Sequence, residues 1–87
     1  MKLIAAEAKI IKVQLSKLGL YNVSADIDGQ IHEFSVVLLG GEPVIISTSI
    51  IDALIANDTD LAYQLSDLFT AVYFLHKTTI EERAHEA

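Results

Sequence analysis

No cysteine occurs anywhere in the chain. That excludes a disulfide framework, a thiol nucleophile and a thiolate metal site. No apolar run approaches the roughly 18 to 20 residues that span a bilayer, and Glu7 interrupts the opening stretch "MKLIAAEAKI" short of a signal-peptide core. The expectation is an unexported, cytoplasmic protein with no membrane contact. Glycine is confined to positions 19, 29, 40 and 41, which leaves no phosphate-cradling loop. Tryptophan is absent and proline occurs once.

Positive charge is missing from most of the chain. The six basic residues are Lys2, Lys9, Lys12, Lys17, Lys77 and Arg83, so the interval from Leu18 to His76 has none. The same interval carries Asp26, Asp28, Glu33, Glu42, Asp52, Asp58, Asp60 and Asp67. Binding to nucleic acid through a basic groove depends on cations that neutralise phosphates, so direct nucleic-acid binding is excluded by composition. A surface of one sign steers a protein toward basic partners. The plainer role of those acids is to keep an apolar small protein dispersed.

What is present in quantity is apolar. Hydrophobic residues make up 52% of the 87, too many for a disordered chain and more than one small core easily hides. Association with another chain is the natural outlet. The length fits one domain, expected over residues 1–77, with 78–87 as a charged tail, a frayed helix at most.

Periodicity then divides the chain. Ile4, Ala8, Ile11, Leu15 and Leu18 alternate spacings of four and three, which predicts an N-terminal helix closed by Gly19. The competing pattern is "IIKVQLSK", where Ile11, Val13 and Leu15 alternate with polar residues as in a strand. From Tyr21 the period is two. Asp28 and Gly29 suit the two central positions of a tight hairpin turn, which would pair Ile27 with Gln30, Ala25 with His32, Val23 with Phe34 and Tyr21 with Val36. "GGEP" makes a second turn of two or four residues, and "VIIS" returns as a third strand. Val37 and Leu39 then point to the wet side of the sheet, where an apolar patch needs cover from a helix or another chain.

Two helices follow. Ser49 with Asp52 resembles a capping box for a short helix ending near Asn57, and Asp58 or Thr59 caps the next. In that second helix Leu61, Leu65, Leu68, Val72 and Leu75 form one stripe, while Ala62, Phe69, Tyr73 and His76 form another. Two stripes ask for two partners. The expected class is therefore α+β, an N-terminal helix, a three-stranded antiparallel meander and two C-terminal helices, in the order α-β-β-β-α-α.

Candidate chemistry is thin. "SADIDGQIHEF" crowds Asp26, Asp28, His32 and Glu33, but a calcium loop with Gly29 sixth would need ligands where Ser24 and Ser35 stand, and the hairpin explains Asp28 and Gly29 without a metal. No zinc-protease helix and no local triad signature occurs among His32, His76, His85 and the serines. No catalytic residue, metal or cofactor is assigned.

Three functions from different classes fit. The first is a non-catalytic protein–protein interaction module, a homodimer that regulates or blocks a partner by occupying its surface, with Phe69, Tyr73, His76, Val37 and Leu39 at the oligomer interface. The second is an acidic nucleic-acid mimic, of the anti-CRISPR or anti-restriction kind, that offers Asp26, Asp28, Glu33 and Glu42 to a basic nucleic-acid-binding protein. The third is a small enzyme or ligand-binding dimer with a pocket between subunits that uses His32 or His76.

Overall fold

The computed structural model describes residues 5–85. After a 3-10 turn at Ala5–Glu7 come four strands, β1 (Lys9–Leu15), β2 (Tyr21–Ile27), β3 (Gln30–Leu39) and β4 (Glu42–Ile46). Three helices complete the chain, α1 (Thr48–Ile55), α2 (Thr59–Leu75) and α3 (Lys77–Ala84). The strands form one antiparallel meander in the order β1-β2-β3-β4. The fold is α+β.

Turn chemistry sets the register. Asp28 and Gly29 sit at φ 53° and 83°, the left-handed pair that a two-residue hairpin loop requires. The Asp26 carboxylate accepts the Gly29 N–H at 2.9 Å. Tyr21 accordingly faces Val36, Val23 faces Phe34, Ala25 faces His32 and Ile27 faces Gln30. Gly40 and Gly41 repeat the device at φ 60° and 85°. Leu39 therefore pairs with Glu42 and Val37 with Val44, so the second loop holds two residues rather than four.

The N-terminal helix expected over residues 4–18 is absent. Lys9–Leu15 is a strand, which makes the sheet four-stranded; Ile4 lies outside the described residues. The expected stripe is not a buried face, since of Ala8, Ile11, Leu15 and Leu18 only Ala8 is buried. Ile10 pairs with Ala25 and Lys12 with Ser24, leaving Ile11 as the extra residue of a β-bulge. Ile10 and Val13 are both buried although three positions apart. Gly19 does adopt the left-handed conformation, at φ 84°, but in the β1–β2 connection. There the Ser16 hydroxyl accepts the Leu20 N–H at 3.0 Å.

α2 and α3 pack on one face of the sheet, and α1 packs on α2. Val23, Ala25, Ile27, Phe34 and Val36 share a buried cluster with Leu65, Phe69, Val72, Tyr73, Ile80 and Ala84. Ser47, not Ser49, caps α1, accepting the Ile50 N–H at 3.0 Å. Asn57 ends the turn after α1 at φ 59°, and Asp58 caps α2 through the Leu61 N–H at 3.1 Å. The segment expected as a charged tail is helix α3, in which Ile80 is fully buried.

Candidate functional site

Because side chains alternate along a strand, the second face of the sheet can be read row by row from the pairing. One row is Lys9, Asp26 and Ile31; the next is Lys12, Ser24 and Glu33. Then come Gln14, Asn22, Ser35 and Ile46, followed by the pairs Val37–Val44 and Leu39–Glu42. Among the described residues no helix lies over these rows. Leu39 remains 59% exposed, Ile31 60%, Ile46 46% and Val44 39%, while Val37 is half-buried.

The face is therefore graded. Toward β4 it is an apolar strip, and toward β1 it is polar and charged. Between them runs a groove of about 380 Å³ lined by Lys12, Asn22, Glu33, Ser35, Ile46 and Thr48, among others. The Ser35 hydroxyl donates to Asn22 Oδ1 at 2.6 Å, which fixes one wall.

The four acids singled out as a partner-binding face do not form one cluster: Asp26, Asp28 and Glu33 lie toward the β2–β3 turn, whereas Glu42 lies at the opposite end of β3, beside Leu39. Nor do they make a surface of one sign. Lys9 is the cross-strand partner of Asp26, and Lys12 flanks Ser24 on the side away from Glu33. Once β1 replaces the expected helix, both lysines stand beside the acids, and the sheet face carries mixed charge. That is poor imitation of a phosphate backbone.

The expected interface residues divide. Val37 and Leu39 belong to the open strip. Phe69 and Tyr73 are core instead: Phe69 is completely buried and stacks on Phe34 with centroids 4.7 Å apart and planes at 8°. α2 buries one face, Ala62, Leu65, Phe69, Val72 and Tyr73, drawn from both stripes. Leu61, Phe74 and Leu75 are left exposed. His76 is half-buried at the junction of α2 and α3.

The two histidines considered for a pocket point to no shared site. His32 meets the edge of Phe69 at 5.6 Å, and two turns of α2, about 10 Å along its axis, separate Phe69 from His76. His32 Nε2, His76 Nε2 and the Tyr73 hydroxyl are enclosed without a hydrogen-bond partner among the described residues. Burial, and after it the charges of Glu81 and Tyr21, raise the Tyr73 phenol above its ordinary value. It stays neutral. Among the described residues no cluster of three metal-ligating side chains occurs, and no helix is long and apolar enough to cross a membrane.

No family model matches this chain, and neither does any curated protein or solved structure.

The strip was readable in part. Val37 and Leu39 follow from the first hairpin's register, and Val44 and Ile46 join them once the second loop is fixed at two residues. The groove was not readable, because two of its residues, Lys12 and Gln14, come from the strand that was expected as a helix.

Proposed function

We propose that this chain is a non-catalytic interaction protein that forms a homodimer through the open face of its sheet and regulates a partner protein by occupying its surface. The observation that carries the reading is the uncovered strip Val37, Leu39, Val44 and Ile46, on the face away from α2 and α3. Contiguous apolar surface of this kind marks an interaction site.

The charge pattern supports self-association. In a two-fold contact the same face meets itself. Lysines along β1 and acids across β2 to β4 allow a crossed arrangement to set the cations of one copy near the acids of the other. The strip then meets its own counterpart at the centre, with charge at the rim, as interfaces are commonly built.

Sedimentation equilibrium over a range of concentrations tests this. The wild-type protein should be dimeric, and Val44→Lys should weaken the dimer by roughly tenfold or more while leaving circular dichroism unchanged, since Val44 is exposed. A wild-type protein that stays monomeric at every concentration, or a Val44→Lys variant that dimerises equally well, would overturn the reading.

A further inference from the structure

Helix α1 carries a second apolar face that none of the described residues covers. Ile51, Leu54 and Ile55 stand at the spacing that places side chains on one side of a helix, and all three are exposed, Ile55 at 79%. Ala53 is the one fully buried residue of α1. Ile50 packs against the core, and the other large side chains of the helix face solvent. Across a tight turn, closed by the Asp58 N–H on the Ala53 carbonyl at 2.8 Å, Leu61 in the first turn of α2 is exposed as well.

The chain carries charge of one sign throughout this segment. Asp52, Asp58 and Asp60 are all exposed, and no lysine or arginine occurs in the sequence from Leu18 to His76. This is where the α1–α2 corner differs from the open sheet face, which holds both signs. A second copy docking here by a two-fold contact would set aspartates against aspartates, and like charges brought together at an interface are costly. Nucleic acid and anionic lipid meet the same repulsion.

We propose that the α1–α2 corner docks a basic amphipathic helix of a partner protein. Its apolar side chains, three or four residues apart, lie against Ile51, Leu54, Ile55 and Leu61, and its lysines and arginines reach Asp52 and Asp60. Asp58 contributes charge while its carboxylate also caps α2. The surface is separate from the sheet face, so a dimer and a docked partner can coexist.

The test is a titration of the full-length ¹⁵N-labelled protein with a synthetic peptide of leucine and lysine at helical spacing. A leucine–glutamate peptide of the same pattern and polylysine serve as controls. Amide shifts should be confined to residues 50–61 and should shrink as salt rises. The double variant Asp52→Asn, Asp60→Asn should bind on the order of tenfold more weakly. Leu54→Ser with Ile55→Ser, both at exposed positions, should abolish binding with the fold intact. Equal binding of the leucine–glutamate peptide or of polylysine would overturn the proposal. So would shifts confined to the sheet face, or α1 shifts that follow protein concentration alone and so report a second copy.

Discussion

Arg83 of α3 donates through one guanidinium nitrogen to the Ile10 carbonyl at 2.6 Å and to the neighbouring Ile11 carbonyl at 3.0 Å. These are the carbonyls at the β1 bulge, where the ladder with β2 is interrupted and strand partners are lost. The last helix therefore closes the edge of the first strand. Arg83→Met, which keeps the apolar stem, should cost about 1–2 kcal/mol, at the low end for a charged donor because part of the contact is exposed. Arg83→Lys should recover only a fraction, since its ammonium reaches less far and is more strongly hydrated. Urea unfolding measures both. Unchanged stability in the methionine variant would mean that α3 is held by Ile80 and Ala84 alone.

Phe69 and Phe74 lie on opposite sides of α2 and should respond oppositely. Phe69→Ala removes a ring stacked on Phe34 and should cost about 3–5 kcal/mol, a large share of the 5–15 kcal/mol that domains typically have. Phe74, at 57% exposure, should tolerate alanine within about 0.5 kcal/mol. Thermal melts of the two variants check the assignment. Equal losses would mean that the second side of α2 is also packed.

Tyr73 holds a buried hydroxyl without a partner among the described residues, so Tyr73→Phe should be neutral or more stable by up to about 1 kcal/mol. Its phenol keeps its proton to higher pH in the folded state than in the unfolded one. Above about pH 10 the unfolded chain ionises first, and that favours unfolding. The contribution is full below that pH and is lost as pH rises through the folded value. Melts from pH 8 to 11 should therefore fall more steeply for wild type than for Tyr73→Phe. Parallel curves would show that Tyr73 ionises as freely in the fold as out of it.

Gly41 stands at φ 85° with open space where a Cβ would go. Gly41→Ala should therefore cost about 1 kcal/mol from backbone conformation alone, with no clash. Gly41→Asn should cost less, because asparagine tolerates the left-handed region. Chemical denaturation separates them, and an alanine variant as stable as wild type would show that the β3–β4 loop relaxes to another turn.

Local chemistry explains how much of this fold the sequence discloses. Asp28–Gly29 announces its turn and the whole β2–β3 register with it, because both positions need positive φ. Asp58 announces the start of α2 for a similar reason, since a carboxylate there meets an unpaired N–H. β1 was hidden because Ala8, Ile11, Leu15 and Leu18 fall at helical spacing, although Ile11, Leu15 and Leu18 end up exposed and the strand instead buries Ile10 and Val13. The buried face of α2 was hidden too. Leu61 and Leu75 look as apolar as Leu65, and only the sheet beneath decides which of them are covered. The role of α3 depends on contacts between Arg83 and residues more than seventy positions earlier, and no local pattern carries that. The open strip was legible through Val37 and Leu39, whereas the mixed charge beside it awaited the placement of Lys9 and Lys12.

The open sheet face as a dimer interface is tested most directly by isotope-filtered nuclear Overhauser spectra of a mixture of labelled and unlabelled protein. Contacts between the methyl groups of Val37, Leu39, Val44 and Ile46 in one copy and those in another are the predicted result. Intermolecular contacts that come instead from Phe74 and Leu75, or none at concentrations where the wild-type protein is dimeric, would contradict it.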